Sequence, residues 1–192
     1  MRFVPFAVAT LVALSTLALE GSARAEPTTW FAVGGGYGFQ RNGYDSTDAR
    51  AGALSFSIGV GTTAKNPIVV GGIWRTVTHF SLGTDVGLGL RFATRGFARG
   101  DWGLALDAGV AGRWWKHQSY GHFPIQAILT GGLPWGFNVA VGADLWDVSG
   151  DTPRAQGGFA LIEIDFLRLT VMRGGDTTRF WPNPAPADGA SH

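Results

Sequence analysis

Between residues 82 and 115 alternate positions belong to two different surfaces. Leu82, Thr84, Val86, Leu88, Leu90 and Phe92 make an apolar row, and Gly83, Asp85, Gly87, Gly89, Arg91 and Ala93 make a small or charged one. After the turn-rich stretch 94–100 the pattern resumes. Trp102, Leu104, Leu106, Ala108, Val110 and Trp114 fall on one side, with Gly103, Ala105, Asp107, Gly109, Ala111 and Arg113 on the other. Side chains of a strand alternate between faces, so a period of two predicts two strands joined as a hairpin.

The two faces are unlike those of a soluble sheet, which buries bulk on one side and leaves a mixed polar side to water. Here the non-apolar face holds Gly and Ala with charges at intervals. That suits the crowded inside of a narrow barrel, where glycine makes room and charges pair across the lumen. Trp102 and Trp114 share the apolar face twelve residues apart. At about 3.3 Å per residue and a tilt near 40°, that is roughly 30 Å along a membrane normal, close to the separation of two aromatic girdles. The stretch predicts a transmembrane β-hairpin.

The same period predicts six more strands. Residues 30–39 set Phe31, Val33, Tyr37 and Phe39 against Ala32, Gly34, Gly36 and Gly38. The triplet Gly34-Gly35-Gly36 opens no helix, and the strand period runs through it, so it is a glycine row rather than a nucleotide loop. In 51–62, Leu54, Phe56, Ile58 and Val60 oppose Ala53, Ser55, Ser57, Gly59 and Gly61. Residues 68–80 also read as a strand with its facing open, because Arg75 and His79 share the odd positions with Val69, Ile73 and Val77. The strand 123–133 opposes Phe123, Ile125, Ala127 and Leu129 to Gln126 and Thr130, and 137–146 opposes Phe137, Val139, Val141 and Leu145 to Asn138, Gly142 and Asp144. In the last, 158–173, Ala160, Ile162, Ile164 and Phe166 oppose Glu163 and Asp165. There the phase flips at Leu167, which predicts a β-bulge at Phe166-Leu167 and puts Arg168 among the inward polar residues.

Eight strands are an even number, as a single-chain membrane barrel of this type requires. With the N-terminus on the inner side, the outward connections are 40–50, a tight turn near Ser81, 116–122 and 147–157. The inward ones are 63–67, 94–101 and 134–136. The expected fold is an all-β, eight-stranded antiparallel up-and-down transmembrane barrel over 26–173.

Composition sharpens this picture. Residues 1–25 read as a signal peptide: Arg2, an apolar run from Phe3 to Leu19, then Ala23-Arg24-Ala25 as a small-x-small cleavage site. Without Arg2, Glu20 and Arg24, the chain keeps 13 basic and 13 acidic residues. A neutral chain points to no nucleic acid partner. Thirty glycines and a 15% charged fraction depart from ordinary soluble composition in the direction of a lipid-facing wall. Cysteine is absent, which excludes disulfides and an acylated lipoprotein anchor. Past the leader no apolar run is long enough for a membrane helix, so insertion requires a closed barrel. Residues 174–192 form a Gly-, Pro- and Asp-rich tail without periodicity, expected to be flexible.

With its leader, strand count and two-faced alternation, the chain over residues 28–173 resembles the small eight-stranded outer-membrane β-barrel proteins of Gram-negative bacteria. This is the outer membrane protein β-barrel domain group. The resemblance implies residence in the cell outer membrane, contact with its lipids and lipopolysaccharide, delivery by the outer-membrane insertion machinery, and a monomer. Those barrels usually end on an aromatic residue; here Phe180-Trp181 is followed by a Pro-rich tail.

An eight-stranded barrel is just wide enough for its own side chains. The inward candidates are Asp85, Arg91, Asp107, Arg113, Gln126, Asn138, Asp144, Glu163, Asp165 and Arg168, expected as one lumen-wide polar network that fills the barrel. Trp102, Trp114, Phe92 and Trp135 are the expected membrane-interface aromatics. A conducting polar path is the sharper alternative for the same residues. The expected role is structural or surface-interacting, with no catalytic residue, cofactor or metal.

Two other classes stay open. His117-Gln118-Ser119 resembles the His-x-Ser arrangement of lipid A deacylases, though no carboxylate follows before Asp144 to orient the base. His117 and His122 lack a third metal ligand nearby. A soluble, lipocalin-like periplasmic barrel would instead carry its apolar face inward around a ligand. Against it stand the glycine-rich opposite face and the scarcity of lysine, Lys65 and Lys116 alone.

Overall fold

The computed structural model describes residues 27–41, 48–115, 122–148 and 156–168. Eight strands run in sequence order: β1 (Thr28–Arg41), β2 (Asp48–Gly61), β3 (Ile68–His79), β4 (Gly83–Thr94), β5 (Gly103–Trp115), β6 (Pro124–Gly132), β7 (Phe137–Asp147) and β8 (Gln156–Asp165). Each pairs antiparallel with the next. β8 returns to β1, from Ala32 opposite Asp165 to Arg41 opposite Gln156, and closes the barrel. The expected leader at 1–25, the expected tail at 174–192, and the expected loop carrying His117 and Ser119 lie outside the described residues.

Facing follows the period of two. Outward positions carry Leu88, Leu90, Leu104, Leu106, Val110, Leu129, Val139, Val141 and Ile162, all exposed. Inward positions carry Ala, Gly, Ser, Thr and the charged residues, together with a buried apolar group of Ala53, Val77, Ile128, Ala140, Phe159 and Leu161. The small inward residues are a packing requirement. Gly34 stands opposite Glu163, and a Cβ on it would lie 2.5 Å from the Glu163 side chain.

We call the end where the chain enters at Thr28 the lower rim. It carries the connections 62–67, 95–102 and 133–136. The upper rim carries the other four.

Four expectations change or sharpen here. The strand β3 turns its odd positions inward, burying Val69, Ile73, Arg75, Val77 and His79. The inward turn at 94–101 contains a single helical turn, α1 (Arg95–Arg99), whose Phe97 and Ala98 are buried. The Thr94 hydroxyl caps its start, accepting from Phe97 N at 3.4 Å, and Gly100 ends it at φ 79°, left-handed backbone that favours glycine.

The last strand stops at Asp165 without the expected bulge. Residues 166–168 form a turn in which the Asp165 carboxylate accepts from Leu167 N at 3.0 Å and its carbonyl accepts from Arg168 N at 3.0 Å. A carboxylate that bonds backbone two residues on builds such turns. The phase flip is therefore a change of chain direction. Residues 169–173 of the expected strand lie outside the described residues.

A register shift occurs instead on β6–β7, between Ile125 and Gln126. Ile125 pairs with Trp146 while Gln126 pairs with Asp144, which leaves Leu145 as the extra residue. Leu145 and Trp146 both face out, and Asp147 joins Asp144 on the inner side. Asp147, expected to open a loop, thus ends β7 and meets His122 at 2.8 Å.

Candidate functional site: the barrel lumen

The inward residues form three clusters stacked along the barrel. In the upper cluster the Arg113 guanidinium donates to Asp85 at 2.9 and 2.7 Å and to Asp144 at 2.7 and 3.1 Å. Gln126 Nε2 donates to both carboxylates, at 3.1 Å to Asp85 and 3.0 Å to Asp144. Asp144 also accepts from Gly157 N at 2.7 Å, holding the start of β8 where the β7–β8 ladder has ended at Ala143 and Gly158. The guanidinium lies 3.9 Å from the centroid of the Trp115 ring, and the His79 ring packs edge-on against that same indole at 5.4 Å.

The middle cluster is built around two arginines. Arg91 makes two bonds to Asp107, at 2.6 and 2.7 Å. Arg75 donates to Glu163 at 2.7 Å and reaches Asp107 at 3.4 Å, so Asp107 joins the two cations. Ser55 donates to the same Glu163 Oε1 at 2.6 Å. All five side chains are buried. Charges so deep persist because each is paired and hydrogen-bonded; removing one partner of such a pair costs about 3–5 kcal/mol.

The lower cluster is a single pair tied to backbone. Arg168 bonds Asp165 at 2.5 Å, the Ala98 carbonyl at 3.0 and 2.8 Å, and the Thr29 carbonyl at 2.8 Å. Trp30, wholly buried, lies between the middle and lower clusters, with Arg91 at 5.2 Å and Arg168 at 5.8 Å from its ring. Desolvated cation–π contacts of this kind contribute about 2 kcal/mol.

Nine of the ten expected lumen residues fall into these clusters, three separate groups rather than one network. Asn138 does not join them: it is buried opposite Gly132 near the lower rim. Arg75 and Ser55 complete the middle cluster. Arg75 escaped the pattern because apolar residues share its face of β3, and Ser55 because a serine among Ala and Gly reads as mere space. The inward aromatics Trp30, Trp115 and Phe159 add a feature the small-or-charged rows did not suggest, large rings that cap and divide the polar groups.

The outer wall is apolar around the barrel. Its exposed aromatics gather near the two rims: Phe92, Trp102, Trp135 and Phe137 below, and Tyr37, Phe39, Phe80, Trp114, Phe123 and Trp146 above. Trp102 is 71% exposed and Trp114 62%. Trp135 sits in the Pro134–Gly136 turn at φ 69°, a left-handed backbone.

Among the described residues no three His, Asp or Glu side chains gather into a metal-binding group. A cavity of about 30 Å³ lies against Gly87, Gly89 and Gly109, between Gln126 above and Arg75 with Asp107 below. That is space for a single water. No family model, curated protein or solved structure matches this chain.

Proposed function

We propose that this chain is an integral outer-membrane β-barrel whose lumen is filled by its own side chains, with a structural or surface-interaction role and no enzymatic one. The observation that carries this reading is the inversion of the barrel. Its outer wall exposes aliphatics, with the most exposed aromatics at the two rims and the Phe31–Phe56–Trp74 group between them, while Arg75, Arg91, Arg113, Asp85, Asp107 and Glu163 are buried inside. Water would reward the opposite arrangement; a hydrocarbon layer bounded by two polar interfaces rewards this one. The wall then meets outer-membrane lipids, including lipopolysaccharide, and residues 1–25 export the chain to the insertion machinery.

The same inversion disfavours a lipocalin-like soluble barrel, which needs an apolar interior for its ligand. The deacylase-like reading rests on His117 and Ser119, which lie outside the described residues. The role at the surface falls to the connections between β1 and β2, β5 and β6, and β7 and β8.

The test is membrane fractionation of the native host followed by gel electrophoresis of unheated and boiled samples. A barrel held by buried ion pairs and a closed ladder stays folded in detergent until boiled and migrates differently. A chain that stays in the soluble fraction, or migrates identically in both samples, rules the reading out.

A further inference from the structure

The lower rim is basic. Among the described residues its connections carry Lys65, Arg95, Arg99 and Asp101, three cations and one carboxylate. The backbone brings them together. Arg95 N donates to the Pro67 carbonyl at 3.0 Å, which ties the start of α1 to the turn 62–67 that holds Lys65. Arg95 and Arg99 stand four residues apart in α1, on one face of it. Partial burial, and then the nearby charge of Arg95, hold Arg99 below the usual arginine range, with Asp101 acting the other way. Like charges gathered at one rim repel, and an anion between them relieves that repulsion.

Directly above these cations the outer wall has a groove. Gly72 is exposed, and a Cβ added to it would meet nothing within 4 Å. Its partners across the sheet are Val60 on β2 and Leu90 on β4, both exposed, so the missing side chain leaves a trough between two aliphatic flanks. Ile68 and Val70, exposed on the same strand below, carry the apolar surface down to the rim. The upper end is stopped by Trp74, which packs edge-on against Phe56 at 5.5 Å, with Phe56 against Phe31 at 5.3 Å. Other glycines of the wall are covered. Phe80 lies over Gly52 and Trp114 over Gly112, each within 3 Å of where a Cβ would sit. From Ile68 to Trp74 is about 20 Å of strand, or about 15 Å along the membrane normal at a tilt near 40°, half of a hydrocarbon core of about 30 Å.

We propose that this surface binds one phospholipid with an anionic headgroup, its phosphate against Lys65 and Arg95 and one acyl chain in the groove over Gly72. The proposal rests on the membrane reading above and goes further by naming a lipid class and a place on the wall. The groove ends at the depth where one leaflet ends, so it takes a lipid of the lower leaflet. The cations lie below the apolar surface, at the level of that lipid's phosphate, and long basic side chains reach headgroups from such positions. The excess of positive charge selects phosphatidylglycerol over phosphatidylcholine, whose choline cancels the charge of its phosphate.

The experiment equilibrates the full chain, purified in detergent and checked for heat-modifiability, with equal amounts of phosphatidylglycerol and phosphatidylcholine of identical acyl chains. Retained lipid is counted by native mass spectrometry. Wild type is expected to retain one phosphatidylglycerol in preference. Lys65→Gln and Arg95→Gln should each weaken that retention about fivefold. Gly72→Leu fills the groove and leaves every charge in place, and should weaken it as well. Arg50→Gln, an exposed cation at the opposite rim, is the control and should retain lipid as wild type does. Equal retention of the two lipids by wild type overturns the proposal. So does an equal loss in Arg50→Gln, which would mean a diffuse attraction, or undiminished retention in Gly72→Leu, which would mean that the headgroup is held without the chain. A wild-type chain that is soluble without detergent and shows no heat-modifiability removes the membrane reading itself; a heat-modifiable barrel indifferent to the headgroup removes only this proposal.

Discussion

Arg113 and Asp85 stand directly opposite each other on β5 and β4 and meet through two side-by-side hydrogen bonds, Nε to Oδ1 at 2.9 Å and Nη2 to Oδ2 at 2.7 Å. The remaining donors of the same guanidinium reach Asp144 on β7. One cation thus serves two carboxylates from three strands, which only a planar fork of five donors can do.

Replacing Arg113 with methionine leaves Asp85 and Asp144 without a cation in a site closed to water. The expected loss is about 3–5 kcal/mol of folding stability, read from urea unfolding in detergent. Arg113→Lys keeps the charge but cannot span both partners, and should lie between wild type and the methionine variant. A lysine variant as stable as wild type would show that charge alone, without fork geometry, holds the cluster.

A charge on the outer wall separates a lipid-facing barrel from a water-facing one. Leu88 lies near the middle of β4 and is exposed. In a membrane, Leu88→Arg should cost about 2–4 kcal/mol, and the same change at Trp102, by the rim, about 0–1 kcal/mol. The measurement is the urea midpoint of refolding into lipid vesicles. Equal effects at the two sites would argue against a hydrocarbon layer around the wall.

Gly34→Val tests the packing of the lumen. The added carbons would enter space held by Glu163 and the Ile162 carbonyl, both 2.5 Å from where a Cβ would sit. Overpacking of this kind costs about 1–3 kcal/mol, and here it also pushes Glu163 away from Arg75. A lower unfolding midpoint is expected, with only part of it regained in Gly34→Val combined with Glu163→Ala and Arg75→Met, because the Ile162 carbonyl and the Glu163 Cα stay in place. No recovery in the combined variant would place the cost in the β1–β8 backbone pairing instead.

Asp165 does two things at once, and two substitutions separate them. Its carboxylate accepts from Leu167 N in the turn and pairs with Arg168. Asparagine retains an oxygen for the turn but gives up the charge, so Asp165→Asn should lose less stability than Asp165→Leu, which gives up both. Equal losses would mean that the ion pair carries all of the effect.

Much of this barrel was legible in the alternation of its residues. The eight strands and the facing of β4 and β5 follow from a period of two, and so does the inward placement of Asp85, Arg91, Asp107 and Arg113. A strand's two faces are a local property of successive residues. The β3 strand resisted this reading because Arg75 shares its row with Val69, Ile73 and Val77, bulk that in the structure fills the lumen beside β1 and β8. The helical turn at Arg95–Arg99 was hidden for the opposite reason: five residues are too few for a helical period to appear.

What the sequence by itself determined was the class of structure and the side of the wall on which most strand residues lie, those of β3 excepted. What the tertiary structure decided was partnership. Arg75 meets Glu163 and Arg168 meets the Ala98 carbonyl across 88 and 70 residues of chain, distances over which a local pattern carries no signal. Those meetings depend on the stagger between strands, on the extra residue at Leu145 and on the turn after Asp165. Each of these shifts a strand along its neighbour or redirects its end, so that charges already known to point inward come to face one cation rather than another.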